Sequence, residues 1–153
     1  DGTNLYRTGC IGGIRGFEKT DDGRYMIELH GLSRFEIIEE LAMRDGYRRI
    51  QPDYTRFAAD IKPSSDTPTE RERLLSSLRG YFELQNIIVD WETLIETSDE
   101  YLITTLAMVC PFNPAEKQVL LESPDIARQC KMLIGFIESA LRSDNGNGNP
   151  TLN

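Results

Sequence analysis

The sequence predicts an α+β fold, with an antiparallel β meander in residues 1–62 and a small helical bundle in residues 63–142. In the first part, Tyr25, Ile27 and Leu29 alternate with the polar residues Glu28 and His30. A period of two is typical of strands with one buried face. In the second part, apolar residues recur at helical spacing and short Pro-containing turns separate the segments. Strands followed by helices is the order of an α+β domain.

The β-rich part divides into four predicted strands joined by short turns. Asp22-Gly23 lies between two alternating runs, where glycine supplies the positive φ that a tight hairpin turn needs. Gly31 interrupts the second run, as glycine does at a bulge or a sharp bend. Asp45-Gly46 predicts a further turn. The predicted strands are Gly9–Lys19, Arg24–Leu29, Leu32–Leu41 and Tyr47–Tyr54.

Capping residues mark the helix starts in the second part. Lys62–Asp66 has the composition of a linker. Thr67, Pro68 and Glu70 then predict a capped start, because Thr caps, Pro fits the first helical position and Glu completes a capping box. Residues 143–153 are rich in Asn and Gly and are predicted to be a disordered tail. Further starts are predicted at Asp90, Ser98, Asn113-Pro114 and Ser123-Pro124.

Charge is unevenly distributed along the 153 residues, whose net charge is −8. Residues 1–63 hold 10 Lys and Arg against 11 Asp and Glu, a net of −1, and residues 64–153 hold 7 against 14, a net of −7. An acidic helical half argues against nucleic acid as the main partner. The cysteines Cys10, Cys110 and Cys130 lack metal-ligand spacing and are predicted to be reduced, buried small hydrophobic residues in a cytoplasmic protein. No apolar run approaches ~20 residues, so no membrane-spanning helix is predicted.

No residue pattern predicts a catalytic, metal or cofactor site. His30 is the only histidine, and no Cys or carboxylate lies at ligand spacing from it. The glycines at positions 9, 12, 13 and 16 match no phosphate-loop pattern and lie in a strand, where they fit bends or close backbone packing. Lys117 is expected on the solvated face of a capped helix, and Cys110 has only His30 as a conceivable base. The chain is therefore predicted not to be an enzyme and to need no cofactor.

Several motifs together resemble a known family. They are Gly9-Cys10-Ile11-Gly12 through Ile14, Asp22-Gly23-Arg24, Gly31-Leu32-Ser33-Arg34-Phe35, Tyr47-Arg48 and Pro114-Ala115-Glu116-Lys117-Gln118. Up to Arg142 the chain resembles the Lon protease N-terminal, substrate-binding domain family, and its helical part is similar to stand-alone bacterial members without ATPase or peptidase domains. The resemblance implies that the meander is part of a PUA-like β-barrel, N-terminally incomplete here. It also implies a non-catalytic, proteolysis-related module that recognises unfolded or tagged polypeptides.

Two kinds of binding surface remain open at this level. Four aromatic residues, with Phe35 pointing inward, are expected in the core or the sheet packing, and some of them would line an apolar groove for client polypeptides: Phe35, Tyr47, Tyr54 and Phe57. An uncovered sheet edge would accept an extended client or allow self-association. The alternative is an RNA-binding PUA-like domain that uses the arginines of the fourth strand region, although aspartates offset them: Arg44, Arg48, Arg49 and Arg56. No individual substrate-binding residue is assigned.

Overall fold

The computed structural model describes residues 4–61 and 70–146. The chain divides into two compact units, Asp1–Ser65 and Asp66–Asn153. The predicted linker from residue 62 onward, the predicted capping residues Thr67 and Pro68, and residues 147–153 of the predicted tail lie outside the described residues. None of the described helices is both long enough and apolar enough to span a membrane.

The first unit contains a three-stranded antiparallel sheet with the strand order β1-β2-β3. Its strands are β1, Thr8–Lys19; β2, Tyr25–Arg44; and β3, Tyr47–Asp53. The prediction of an antiparallel meander followed by helices is confirmed. The described strands form an open sheet and do not close into a barrel.

The second and third predicted strands are one continuous strand in the structure. β2 runs through Gly31, and its pairing with β1 shifts between the pairs Ile11–Ser33 and Gly12–Gly31. This shift leaves Leu32 as an extra residue on β2, which defines a β-bulge. The predicted count of four strands was wrong because a bulge interrupts the alternation of side chains without ending the pairing of the two strands.

Both predicted hairpin turns are present. Gly23 has a φ of +83° in the turn between β1 and β2, and its backbone N–H donates to the Thr20 carbonyl over 2.9 Å. Asp45 and Gly46 have φ values of 52° and 85° between β2 and β3. Positive φ at both central residues is what a two-residue type I′ hairpin requires, which explains the Asp-Gly pair.

Phe57 forms the apolar centre of the first unit. It lies in the 3₁₀ helix Thr55–Asp60, which follows β3, and it is fully buried. Phe35 and Tyr54 are half-buried and meet edge to face, with ring centroids 6.0 Å apart. Tyr47 is exposed and lies outside the core. The second half of β2 is thus held by one buried ring and two partly covered ones.

Within residues 70–146, five helices pack around one apolar core. They are α1, Arg71–Leu84; α2, Trp91–Glu96; α3, Asp99–Val109; α4, Pro114–Glu122; and α5, Ile126–Gly146. Residues 143–146 of the predicted tail are therefore helical. Fully buried apolar side chains come from four of the five helices: Leu74, Leu78, Ile103, Leu120, Leu133, Ile134 and Ile137.

Two helix starts follow the capping pattern of the sequence. The Asp90 carboxylate accepts hydrogen bonds from the backbone N–H groups of Glu92 and Thr93 at the start of α2. Asn113 and Glu116 form a reciprocal capping box at the start of α4. Each cap satisfies backbone donors that a helix N-terminus leaves without partners.

The other two predicted caps differ from the expectation. Ser98 precedes α3, but its side chain makes no capping hydrogen bond. Ser123 ends α4, where its hydroxyl donates to the Val119 carbonyl, so the predicted helix start there was wrong. Asp125 caps α5 instead, since its carboxylate accepts from the Arg128 backbone N–H over 2.7 Å. Asp125 directly precedes the helix, so its carboxylate lies closer than the Ser123 hydroxyl to the backbone N–H groups of the first turn.

We expect Phe57→Ala to destabilise the first unit by about 3–5 kcal/mol, because the ring is fully buried. Urea unfolding followed by far-ultraviolet circular dichroism measures the change. Phe17→Ala is the matched control, since its ring is exposed, and should cost less than about 1 kcal/mol. Equal losses for the two variants would contradict the assignment of Phe57 as the centre of this unit.

Candidate functional site

The β1–β2 hairpin extends far beyond the part of the sheet that β3 covers. β3 pairs with β2 only between Glu36 and Arg44. Among the described strands, the stretch of β2 from Tyr25 to Phe35 pairs with β1 alone. A two-stranded ribbon is marginally stable in water unless another layer packs against it. The side chains of this two-stranded extension therefore need a further layer to pack against.

One face of the extended hairpin is apolar and uncovered by the described residues. The cross-strand pairs Ile14–Leu29 and Phe17–Ile27 place their side chains on the same side of the ribbon, and Tyr25 follows two residues before Ile27. The five side chains are each between 48% and 66% exposed. Together they form what we call the hairpin face: Ile14, Phe17, Tyr25, Ile27 and Leu29.

The opposite face of the same hairpin is mostly polar. Met26 pairs with Glu18, and Glu28 and His30 follow on the same side of β2. His30 is exposed, as the alternation predicted. The ribbon is thus amphipathic, and its apolar side is not a random scatter of exposed hydrophobic residues. Contiguous apolar patches with polar surroundings mark interaction surfaces.

Aromatic stacking orders part of the hairpin face. The rings of Phe17 and Tyr25 are stacked, with centroids 4.8 Å apart and planes 21° from parallel. The alternating pattern predicted that Tyr25, Ile27 and Leu29 share a face, but it also predicted that this face would be buried, which was wrong. Nothing among residues 4–61 covers them, because β3 turns back along the other half of β2.

The outer edge of β1 adds a second feature to this region. In the sheet order β1-β2-β3, β1 has no strand on its far side among the described residues. Gly12, Gly13 and Gly16 lie along it, with no side chain to shield the backbone. An edge of this kind can accept an extended segment through main-chain hydrogen bonds.

Gly9 marks the end of β1 where the sheet is covered. A Cβ atom at this position would lie 2.6 Å from the Phe35 ring, which is closer than real contacts allow. The glycine therefore lets β1 pass beside Phe35, its direct partner on β2. For Gly9, this close packing agrees with the prediction that glycines of the first strand allow close approach within the sheet.

Arg34 joins the bulged strand to the 3₁₀ helix. Its guanidinium donates two hydrogen bonds to the Asp60 carboxylate, at 2.9 and 2.7 Å, and its backbone N–H donates a third at 2.9 Å. The guanidinium also lies 4.5 Å from the centroid of the Phe57 ring, and Arg56 lies 5.2 Å from it. Both charged side chains of the Arg34–Asp60 pair are largely buried. This arrangement fixes the 3₁₀ helix on β2, next to the bulge from which the hairpin extends.

Electrostatics favour the ionised form of Asp60. Burial alone would raise the pKa of this carboxyl, but the hydrogen bonds from the Arg34 side chain and backbone outweigh it and hold the pKa below its ordinary value. The carboxylate is therefore charged at neutral pH and paired with Arg34. Such a pair resists removal of either partner, because the remaining charge would be buried alone.

The arginines proposed for RNA contact are mostly committed to carboxylates. Arg48 donates to Glu40 over 2.6 and 2.7 Å, and this contact lowers the pKa of Glu40. Arg56 lies 2.9 Å from Glu36, and Arg44 lies 3.3 Å from the neighbouring Asp45. Cations that are already neutralised are poor phosphate ligands, so these contacts do not favour the RNA-binding alternative.

Lys117 and Cys110, the two residues considered for catalysis, have contacts and burial that fit a structural role. The Lys117 ammonium donates to the Met108 carbonyl over 2.7 Å, near the C-terminal end of α3. Burial raises the pKa of the Cys110 thiol to about 11, although the nearby charge of Lys117 partly lowers this pKa. A thiol with so high a pKa is protonated at neutral pH and is a weak nucleophile. The described residues contain no group of three His, Cys, Asp or Glu that could hold a metal ion.

A second surface feature lies on the helical unit and was not predicted from the sequence. An open cleft of about 450 Å³ follows the C-terminal end of α1. There Arg79 stacks 4.9 Å from the Trp91 ring centroid, and Ile88 is completely exposed. Ile87-Ile88-Val89 has no regular secondary structure and connects α1 to α2. The cleft is lined by Arg79, Phe82, Glu83, Asn86, Ile87, Ile88 and Trp91.

The meander, the bulged strand and the helices that follow them form an α+β fold. The family described as the ATP-dependent protease La (LON) substrate-binding domain matches residues 1–139, and the chain belongs to this family. A search of the curated proteins found no match.

Two solved structures show the same fold. The Lon N-terminal domain protein from Xanthomonas campestris aligns with a TM-score of 0.57 and 19% identity, over 86% of this chain and 68% of that chain. The N-terminal domain of Mycobacterium avium complex Lon protease aligns with a TM-score of 0.56 and 14% identity, over 88% of this chain and 72% of that one. At such identities the likeness establishes the fold alone.

We expect Asp60→Asn to destabilise the protein by about 1–3 kcal/mol at neutral pH, since a charge-assisted contact to Arg34 is lost. The folded-state pKa of Asp60 is lowered, so its contribution is present above the ordinary carboxyl pKa. That contribution disappears as the pH falls through the lowered value. The gap between wild type and variant in urea unfolding should therefore close in acid.

Asp45→Asn is the control for this pH experiment. Asp45 pairs with Arg44 at the exposed surface and Asn also tolerates its positive φ, so the change should cost less than about 1 kcal/mol at any pH. A gap for Asp60→Asn that stays constant from neutral to acid pH would show that the Arg34 contact does not depend on ionisation.

Proposed function

We propose that this chain is a non-catalytic module that binds unfolded or tagged segments of other polypeptides on the hairpin face. Membership of the substrate-binding domain family supports a role in holding substrate. The single observation that carries the location is the contiguous set of exposed apolar residues on one side of the β1–β2 hairpin. Unfolded segments offer the apolar side chains that such a face would cover.

The β1 edge supports the same proposal by a different route. An extended client that lies along β1 would donate and accept main-chain hydrogen bonds regardless of its sequence. Its alternate side chains would then continue the hairpin face. A site built in this way tolerates many clients, and ordering a flexible client costs free energy, so modest affinity is expected.

Charge distribution supports a site on the first unit. Residues 1–63 carry a net charge of −1, whereas residues 64–153 carry −7. A nearly neutral surface has less charge to desolvate when an apolar segment binds. The acidic helical unit is better suited to remain solvated. Cys110 and Cys130 are buried as predicted, but Cys10 is exposed, so its predicted burial was wrong. All three thiols are free, which supports the further proposal of a cytoplasmic location.

We expect Phe17→Ser and Leu29→Ser each to weaken binding of a permanently unfolded test protein at least about fivefold. Fluorescence anisotropy with the labelled test protein measures the affinity. Met26→Ser is the matched control, because Met26 is 63% exposed and Phe17 is 65% exposed, but Met26 lies on the polar face. The control should bind like wild type.

A salt series distinguishes this proposal from RNA binding. Apolar binding should change little with salt, whereas RNA affinity should fall steeply as counterions compete. Wild-type protein that does not bind the unfolded test protein would remove the proposed function. Equal weakening by Met26→Ser would remove the hairpin face as its location.

We also expect no ATP or casein hydrolysis by this chain, since its sequence matches no phosphate-loop pattern and the conceivable nucleophile Cys110 is buried with a raised pKa. Phosphate release and gel analysis of casein are the measurements. Hydrolysis that persists through purification and vanishes on a single substitution in this chain would contradict the expectation.

A further inference from the structure

We propose that an open cleft on the helical unit binds the cationic end of a lysine or arginine side chain of another polypeptide. The cleft has a volume of about 380 Å³ and is lined by residues of α1, α4 and α5 and of the connection between α3 and α4. We call it the aromatic cleft, and its principal residues are Tyr81, Phe112, Glu116 and Phe136. The binding itself does not rest on the proposed function, whereas its use in selecting clients does.

Three aromatic rings from three parts of the chain line the aromatic cleft. The ring centroid of Phe112 lies 6.3 Å from that of Tyr81 on α1 and 5.7 Å from that of Phe136 on α5. Phe112 and Phe136 are only partly buried, so their rings are accessible from the cleft. Because the face of an aromatic ring attracts a cation, several rings beside one opening favour a cationic ligand.

A carboxylate gives the aromatic cleft a negative charge. Among the described residues that line the cleft, Glu116 alone is charged. Its Oε2 accepts the Asn113 backbone N–H over 2.9 Å in the capping box of α4, and its Oε1 makes no hydrogen bond with another described residue. One carboxylate oxygen therefore remains available to a cation that enters the cleft.

The Tyr81 hydroxyl is a second polar group without a partner. Tyr81 is only 3% exposed, yet its hydroxyl makes no hydrogen bond with another described residue. No fully buried side-chain oxygen among the described residues lacks a partner, so this hydroxyl is reached from the cleft. Burial raises the pKa of Tyr81, and the nearby Cys110 and Glu116 raise it further, so the hydroxyl is neutral at pH 7. Its oxygen can accept a hydrogen bond from an ammonium or a guanidinium group.

The neighbouring part of the chain does not supply the cation. The Lys117 ammonium, next to Glu116 in sequence, donates to the Met108 carbonyl over 2.7 Å. Arg142 lies 4.0 Å from Glu138 and does not line the cleft. Residues 143–153 contain neither Lys nor Arg. The rings, the carboxylate and the hydroxyl thus form a cation site that lacks a cation from these segments.

The surrounding charge favours a basic ligand. Residues 64–153 carry a net charge of −7, which attracts a cation from a distance. Tyr81 and Gln85 lie at the C-terminal end of α1, where the helix dipole is negative and the last turn holds no basic residue. Charge and dipole therefore act in the same direction as the local contacts.

The shape of a lysine or arginine side chain matches both parts of the aromatic cleft. Its apolar stem can lie against the rings while its charged end reaches the Glu116 carboxylate. A free ammonium ion would meet the charge but would leave the apolar lining uncovered. Since one accessible ion pair and a few cation–π contacts contribute little, a single side chain should bind weakly.

Titration of the isotope-labelled chain with a short glycine–serine peptide tests the proposal, with amide chemical shifts in NMR as the readout. The peptide is acetylated and amidated, so a single lysine is its only charge, and it lacks apolar residues for the hairpin face. We expect shift changes at the amides of Phe112, Glu116 and Phe136. A peptide with norleucine in place of lysine keeps the stem without the charge and should bind at least about threefold more weakly.

Substitutions separate the cleft from the net charge of the unit. Glu116→Gln removes the charge but keeps the capping box, since Gln also serves at this position, and should weaken the lysine peptide at least about threefold. Phe136→Leu should weaken it about twofold or more, because an aliphatic side chain replaces a ring. Glu96→Gln is the matched control, since Glu96 is exposed and does not line the cleft, and it should leave the affinity unchanged.

Three results would overturn the inference. The first is equal affinity of the wild-type chain for the lysine and norleucine peptides. The second is equal weakening of the lysine peptide by Glu96→Gln and Glu116→Gln, which would assign the attraction to net charge. The third is the absence of shift changes at the cleft amides, which would show that the cleft does not accept the side chain.

The unfolded test protein distinguishes this inference from the proposed function. If clients use the aromatic cleft, acetylation of the lysines of the test protein should weaken its binding to the wild-type chain about twofold or more, but not its binding to Glu116→Gln. Binding of the lysine peptide by a chain that does not bind the test protein would keep the cleft and remove the proposed function. Binding of the test protein without binding of the lysine peptide would remove the cleft alone.

Discussion

The first unit depends on the contact between Arg34 and Asp60 over the ring of Phe57. The Arg34 guanidinium donates hydrogen bonds of 2.7 and 2.9 Å to the Asp60 carboxylate, and it stacks on the fully buried Phe57 ring. Phe57 is the one fully buried apolar side chain among residues 4–61, and the Arg34–Asp60 and Arg56–Glu36 ion pairs both join the 3₁₀ helix to β2. Arg34 also lies two residues after the bulge at Leu32, so the contact fixes the point from which the hairpin leaves the covered part of the sheet.

The same geometry explains why the hairpin is left open. β3 is seven residues long and returns along the end of β2 that the Arg34–Asp60 pair anchors. The other end of β2 continues with only β1 beside it. Covering one half of a 20-residue strand thus leaves the other half to offer its apolar side to a molecule outside the described residues. Under the proposed function, stability and client binding therefore depend on different halves of one strand.

Local features of this fold could be predicted from the sequence, because they depend on neighbouring residues. The Asp-Gly turns, the Asn113–Glu116 capping box and the alternation from Tyr25 to Leu29 are of this kind. The exposure of the hairpin face could not be predicted, since alternation shows which side chains share a face but not what lies across from them. The Arg34–Asp60 pair spans 26 residues and carries no local signal. Likewise, only the folded chain brings Arg79 onto the ring of Trp91.

The glycines of β1 have a further consequence for solubility. An exposed edge strand beside an apolar face is an aggregation risk, because identical chains can pair edge to edge and extend into a fibril. Glycine has low β propensity and offers no side chain to interdigitate, so positions 12, 13 and 16 weaken any such stack. At the other edge, Pro52 removes a ladder donor from β3. The edge of β1 can therefore pair with an extended segment of another polypeptide, while its glycines disfavour the repeated stacking of identical chains that builds a fibril.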